Sequence, residues 1–387
     1  MRITKLSREL FIRNRQKLQE RLDEKTIAIF YSSDEYPRNG DQIFPFRQDS
    51  NLFYLSGIEQ PNTTLVIGKN FCNIFTNKTD PHTETWTGHI LSKEEVKAIS
   101  GIKTVRYDSA LDKTLDNLHT NYKLIGQEDK RLMNIMASLR AIKEPQELEA
   151  LKRAIEITKN TYLKIKDSIK VGMMEYEIEA MMIYEFVRQG TKGHSFSPIV
   201  ASGENALCLH YCDNDSELKD NELVLLDFGC EYENYAADLS MTLPINGVFT
   251  SRQQEVYNKV LEIHNKVKQE MVKGATINKL NYICIGLIKD ACITLGLFTK
   301  EDLEGDEQIY KQYYPHGVSH FLGLDAHDVG AKDLEFLPNM VLTCEPGLYI
   351  KEENIGIRIE TDVLITETQP IDLFALVYSQ LTPQPIS

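Results

Sequence analysis

The sequence lacks a disulfide framework. Its seven cysteines, Cys72, Cys208, Cys212, Cys230, Cys284, Cys292 and Cys344, are odd in number and show neither CxxC pairs nor regular spacing. They read as free thiols of a reducing compartment. A long apolar run is missing too: the most hydrophobic stretch, NYICIGLIKDACITLGLF, is broken by Lys289 and Asp290, whereas a span needs roughly 18 to 20 apolar residues. The opening MRITKLSRELFIRNRQKLQERL carries charges throughout and has no apolar core or small-residue cleavage site, unlike a secretory leader. The expectation is a cytoplasmic chain with no membrane attachment. Positive charge is also short. With 43 Lys and Arg against 57 Asp and Glu, the formal charge of −14 repels phosphate backbones and anionic surfaces and argues against a nucleic-acid partner.

What is present fits a globular protein: 42% hydrophobic and 26% charged residues. At 387 residues the chain exceeds the roughly 250 to 300 residues that one core fills, so two domains are expected. Residues 6–24 carry a helical pattern, followed by β-branched and aromatic runs, TIAIFYSS, NLFYLSG and TTLVIGK, separated by Pro, Asn and Gly. Helical patterns in SKEEVKAIS and ALDKTLDNLHTNY complete a small α/β domain. Pro145 marks a helix start, which places the boundary near residue 143. Beyond it, helices are expected at 146–167 and 174–189 and strands at PIVASG and LVLLDFG. A helix follows Ser251 and Gln254, spaced as a capping box, and another runs over 277–294. The remainder, from about 313, is rich in strand patterns.

Two segments pair acids across expected hairpins. In LVLLDFGCEYENYAADLSMTLP, a turn centred on Tyr232 and Glu233 sets Asp227 opposite Asp238; in VLTCEPGLYIKEENIGIRIETDVLIT, a turn centred on Glu352 and Glu353 sets Glu345 opposite Glu360. Like charges facing across a ladder destabilise it unless something neutralises them, and a cation is the natural remedy. The plainer alternative is a pair of edge hairpins that leave their acids in water. The run PHGVSHFLGLDAHDVG adds His316, His320 and His327, three of nine histidines, with His210 in LCLHYC as a fourth. Clustered histidines beside paired acids point to a metal site with proton-transfer groups, although a lone histidine among apolar residues is more often a satisfied core group. Cys208 and Cys212, flanking His210, lack a second thiol pair to complete a tetrahedral zinc site.

These segments resemble the pita-bread metallopeptidases, and most closely the aminopeptidase P (Xaa-Pro aminopeptidase) family. Matching stretches are FPFRQDSNLFYLSGIEQP in the first domain, and ASGENALCLHY, HGVSHFLGLDAHDV, VLTCEPGLYI and GIRIE with the first hairpin in the second. The resemblance implies an α+β chain in which residues 144–387 form a pita-bread (creatinase/aminopeptidase-like) catalytic domain and residues 1–143 a smaller α/β domain. It implies two divalent ions held by Asp227, Asp238, His320, Glu345 and Glu360, with Asp238 and Glu360 bridging. Oxygen-rich ligation favours Mn²⁺, with Co²⁺ or Zn²⁺ able to occupy the same ligands.

The reaction so implied is hydrolysis of the N-terminal Xaa-Pro bond by a metal-bridging hydroxide. Glu345 would shuttle the proton, His327 donate to the carbonyl oxygen, and His210 stand near the departing proline nitrogen. His316, Tyr349 and Arg358 would shape the pocket, though Tyr349 also reads as a strand aromatic and Arg358 as a counter-ion. Trp86, the single tryptophan, resembles a first-domain residue that reaches an active site, sometimes a neighbouring subunit's; a core role is nearly as expected. A homodimer or homotetramer is implied. The chain departs from the pattern at Ala331 and Lys332, at Thr361 before Asp362, and in the terminal IDLFALVYSQLTPQPIS. Alternatives are a prolidase, a creatinase, or a non-catalytic binding protein of the same fold. Ser319, where prolidases more often carry glycine, favours longer peptides.

Overall fold

The computed structural model describes residues 4–78 and 80–374. The chain divides into two units, Met1–Arg140 and Ala141–Ser387.

The first unit is built on a five-stranded sheet in the order Thr104–Tyr107, Phe71–Thr76, Thr64–Gly68, Thr26–Tyr31, Lys123–Gly126. Its three inner strands are antiparallel and both edge strands add in parallel. The expected first helix is Arg8–Arg21, and it buries Leu10, Phe11 and Leu18. Arg15 on the same face is buried, and its guanidinium donates to Leu55 O at 2.6 Å and Ser100 O at 2.7 Å. It thereby satisfies the last carbonyls of two helices, Ser50–Ser56 and Lys93–Ser100. Ser50–Ser56 corrects the sequence reading, which took NLFYLSG for one of the extended runs. Asp49 caps it by accepting from Leu52 N–H, and Gly57 ends it at φ 68°. The caps decide here over the β propensity of Phe and Tyr.

The second unit opens with helices Pro145–Lys166 and Glu175–Arg188, and continues with Ser251–Gln269 and Ile277–Thr294. The capping box of the third lies one residue before the expected place: Thr250 accepts from Gln253 N–H, and the Gln253 side chain returns to Thr250 N–H. The helices pack on three antiparallel sheets. One orders Leu239–Pro244, Leu223–Phe228 and Ile199–Ser202; a second orders Val341–Cys344, Thr361–Leu364 and Ile371–Asp372; the third pairs Gly347–Ile350 with Ile355–Arg358. Apart from Ile371–Asp372, these strands are buried along their whole length. One continuous core runs from Ile155 and Tyr162 through Leu226, Met241, Val260 and Leu280 to Ile357 and Val363, so side chains at the strand ends are held on a rigid base. Of the terminal segment that matches no family pattern, Ile371–Asp372 forms an edge strand and residues 375–387 lie outside the described part.

Candidate metal centre

The first hairpin turns one residue later than expected, which shifts its strand pairing by two. Tyr232 pairs with Tyr235 and Ser240 with Asp227, so the turn consists of Glu233 and Asn234, at φ 51° and 65°. Asp227 therefore faces Ser240, not Asp238. A slip of two residues keeps every side chain on its face, so Asp238 remains on the side of Asp227 as a diagonal neighbour. In the second hairpin Cys344 pairs with Thr361 and Gly347 with Arg358. Glu345 and Glu360 lie at the break between these pairs, across from each other.

The acids converge on one cavity of roughly 460 Å³, lined also by His210, His316, His320, His327 and Arg358. Asp238, His320 and Glu360 bring one ligand atom each within 4.8 Å of the others. His320 Nε2 lies 3.6 Å from Asp238 Oδ2, 3.6 Å from Glu345 Oε1 and 3.9 Å from Glu360 Oε1. These side chains are tethered from behind. Asp238 N–H donates to Asp362 Oδ2 at 3.2 Å, Glu360 N–H to Ser240 O at 2.9 Å, and Ser240 Oγ to Glu360 Oε2 at 2.7 Å. Arg358 joins the set by donating to Ser240 Oγ and Tyr349 Oη, each at 2.8 Å, and to Asp227 Oδ2. Ser240, Asp362 and Thr343, which accepts from His320 N–H at 3.1 Å, were not singled out from the sequence. Only the true register reveals Ser240, whereas Asp362 has a legible signal as a second acid two residues beyond Glu360.

The electrostatics call for a cation. Asp227 Oδ1, Asp238 Oδ1 and Glu360 Oε1 are buried without a hydrogen-bond partner, an arrangement that costs several kcal/mol unless something positive meets it. Burial first, and then Glu360 and Asp227, push Asp238 well above the usual carboxylate range; burial with Glu345 and Asp227 does the same to Glu360. Burial raises Glu345 to about 8. His320 is pushed the other way, to about 4, chiefly by burial. Its Nδ1 sits 3.0 Å from Phe321 O, which assigns the proton there and turns the lone pair of Nε2 to the carboxylates. Four acids and one neutral imidazole with free acceptor atoms on one side fit divalent metal ions.

Around this cluster, His316 Nδ1 lies 2.7 Å from Gly317 O and its Nε2 2.9 Å from Tyr349 Oη. Burial and then Arg358 lower it to about 4. His327 meets His320 edge to face with centroids 4.4 Å apart. Tyr349 is buried and its hydroxyl is raised to about 12, first by burial. His210 stands on an exposed loop at the cavity. Trp86 lies in the first unit on helix Pro81–Thr87, 80% exposed.

Residues 149–367 match the metallopeptidase family M24, and residues 11–125 match the aminopeptidase P N-terminal domain. The chain belongs to metallopeptidase family M24. Its relatives include the Xaa-Pro aminopeptidase of Haemophilus influenzae, 33% identical over 94% of this chain and 94% of that protein. The aminopeptidase P of Escherichia coli with the inhibitor Pro-Leu superposes with a TM-score of 0.91 at 30% identity, covering 98% of this chain and 97% of the other. A zinc-substituted form of that enzyme in complex with product superposes with a TM-score of 0.90 at 30% identity, again over 98% and 97%. The fold is the family's: an aminopeptidase P N-terminal domain followed by a mixed helix and sheet catalytic domain.

Proposed function

We propose that this chain is a metal-dependent aminopeptidase that hydrolyses the bond between an N-terminal residue and a following proline, with residues 1–143 as its aminopeptidase P-like domain and 144–387 as its catalytic domain. The observation that carries this reading is the set of three buried, unpartnered carboxylate oxygens beside the free Nε2 of His320. It occurs in a chain whose relatives of nearly equal length are Xaa-Pro aminopeptidases. Asp227, Asp238, His320, Glu345 and Glu360 are assigned as ligands of two divalent ions, Mn²⁺ being favoured by the preponderance of oxygen. When bound, such ions supply Lewis acidity toward the scissile carbonyl and acidify water.

The residues divide the remaining work. Glu345, the most exposed of the acids, with a side chain 19% accessible, takes the proton from the attacking water and passes it on. His327 donates to the carbonyl oxygen as charge builds there. The proline nitrogen leaves as a secondary amine and needs a proton, for which His210 is the nearby group. Arg358 NH1 donates to Tyr349 Oη, which leaves the Tyr349 proton for His316 Nε2. That ordered file keeps His316 neutral and its ring fixed. Tyr349, Arg358 and Trp86 are assigned to substrate. Proline has no N–H and a fixed φ near −65°, so a pocket shaped to its ring accepts a tertiary amide that general peptidases handle poorly.

A homodimer or homotetramer in the cytoplasm completes the proposal. All seven cysteines are free, in keeping with a reducing compartment. Among the described residues no helix is long and apolar enough to cross a membrane.

The test is timed digestion of Xaa-Pro-Yaa, Xaa-Ala-Yaa and Xaa-Pro substrates followed by mass spectrometry. The expected result is release of the first residue from the proline tripeptide, little release from the alanine peptide, and weaker action on the Xaa-Pro dipeptide than on the tripeptide. Preference for the dipeptide would make the enzyme a prolidase, and equal cutting of the alanine peptide would remove proline specificity.

A further inference from the structure

His210 stands on a segment with almost no regular structure of its own. From Cys208 to Asp215 the backbone forms neither helix nor strand, and a single internal backbone hydrogen bond, Tyr211 N–H to Cys208 O at 3.2 Å, shapes it. Yet Leu209, His210 and Cys212 all line the cavity. Side chains on such loops hold a productive geometry only when their surroundings lock them.

The lock comes from one helix. Glu175, the first residue of Glu175–Arg188, is fully buried, and its carboxylate accepts five hydrogen bonds. Oε1 takes Ser202 N–H at 2.7 Å, Ser202 Oγ at 2.7 Å and Asn205 Nδ2 at 3.0 Å. Oε2 takes the Tyr211 hydroxyl at 2.8 Å and Ser216 N–H at 3.0 Å. Glu175 N–H returns to Ser216 O at 3.0 Å. One turn along the helix, Glu179 Oε2 accepts from Asn214 Nδ2 at 2.9 Å; the Oδ1 of this buried, left-handed Asn214 takes Val200 N–H at 2.9 Å. A buried carboxylate is tolerated only with such partners. These tie together the start of the loop, its end and the residue next to His210. Burial, with help from Glu175, pushes Tyr211 up to about 12, so its hydroxyl remains a donor over the working range. None of the five donors comes from a residue that lines the cavity, so substrate contact does not explain the arrangement.

We propose that Glu175 is a positioning residue for the reaction: by holding Ser202, Asn205, Tyr211 and Ser216 at once it fixes His210 at the cavity, with Glu179 and Asn214 as a second fastening. The inference rests on the role given to His210 above.

The Glu175→Gln variant tests it, because one acceptor oxygen becomes an NH₂ group facing donors, and one side of the network must open. Wild type, Glu175→Gln, His210→Ala and the double variant are compared as metal-loaded enzymes on an Xaa-Pro-Yaa peptide. We expect Glu175→Gln to keep its metal content and lose kcat/KM by ~10- to 100-fold, mostly in kcat. The double variant should be no slower than His210→Ala alone. In parallel, the His210 ring resonance, assigned by its loss in His210→Ala, should shift or broaden in Glu175→Gln. This second readout does not depend on the substrate: if wild type leaves Xaa-Pro peptides uncut, the functional reading falls and the resonance still decides the fastening. Should Glu175→Gln fail to fold, Tyr211→Phe removes a single hydroxyl and carries the same cycle with a smaller loss, ~3- to 10-fold for one hydrogen bond. Additive losses, or an unaltered His210 resonance, overturn the proposal.

Discussion

The two acid-bearing hairpins of the catalytic unit perform parallel tasks with unequal legibility. The second lies in the register its sequence suggests. Its turn through Lys351–Glu353 closes at Asn354, φ 51°, and the acids Glu345 and Glu360 meet across the ladder. The first turns at Glu233 and Asn234, one residue beyond the expected centre, which shifts the pairing by two. Asn is a common left-handed residue, but Glu at φ 51° is not, so the sequence holds no strong signal for this turn. The chemistry survived the misreading because a shift of two preserves the face, whereas a shift of one would have put Asp238 in the core behind the sheet. What was lost is the partner of Asp227, Ser240.

If the hairpins are equal contributors, removing one acid from either should abolish activity alike. Asp238→Ala and Glu360→Ala are each expected to lower kcat/KM by at least ~10³-fold, since each removes several kcal/mol of stabilisation at about 1.4 kcal/mol per tenfold. Cys208→Ser should keep most activity, and a lethal cysteine change would move the site elsewhere. Chelation should act as strongly as either acid change, with activity returning on addition of Mn²⁺. Full activity in metal-free protein, checked by elemental analysis, would end the metal-dependent reading.

The residues behind the proposed ligands separate the hairpins more finely. Ser240→Ala deletes the hydroxyl that joins Arg358 to Glu360 and should cost ~10- to 100-fold in metal affinity or activity. Thr343→Val, behind His320, should weaken the same readouts while leaving His320 N–H without its Thr343 acceptor. If Ser240→Ala matches wild type by metal titration, the facing of Asp227 and Ser240 has no functional weight.

The metal-free protein should also register the burial of these acids, and their mutual repulsion, as a pH effect. A carboxyl whose pKa is higher folded than unfolded binds its proton more tightly in the fold, so stability is lost as pH rises between the two values. For Glu345 that window runs from its ordinary 4.5 to about 8, and Asp238 and Glu360 act in the same direction. His316 and His320, held neutral down to about 4 against an ordinary 6.5, oppose this only below pH 6.5. Between pH 6.5 and 8 the melting temperature of the metal-free protein should therefore fall, and Mn²⁺ should abolish the slope. A rising or flat profile without metal would show that burial and mutual repulsion do not hold these acids protonated as the geometry demands.

Helix positions were legible wherever caps and period agreed, as at Pro145–Lys166 and Ile277–Thr294. They failed at Ser50–Ser56, where aromatic residues masked the Asp49 and Gly57 caps. The acids and histidines around the cavity stood out because several chemistry-bearing residues share short segments. Ser240 and Glu175 did not, because each acts through partners distant in sequence: Ser240 and Glu360 are 120 residues apart. No local pattern encodes such a pairing.

The smallest expected effect bears on why the first hairpin was misread. Glu233 carries a Cβ in the left-handed region, a strain of the order of 1 kcal/mol, and does so in a two-residue turn whose second residue, Asn234, is also left-handed and accepts from Lys192 Nζ at 2.9 Å. Replacing Glu233 by glycine removes the steric term but adds freedom to the unfolded chain, and the first should exceed the second at a positive φ. Glu233→Gly should thus stabilise the catalytic unit by about 0.5 kcal/mol, a rise in melting temperature of ~1–2 °C for a unit of this size, with unchanged kcat/KM. The equivalent Asn354→Gly in the second hairpin should change little, because asparagine already tolerates its conformation. Calorimetry of both variants in the presence of Mn²⁺ makes the comparison. A loss of stability in Glu233→Gly would mean that contacts of the Glu233 side chain, rather than backbone preference, fix the turn, and with it the register that sets Asp227 against Ser240.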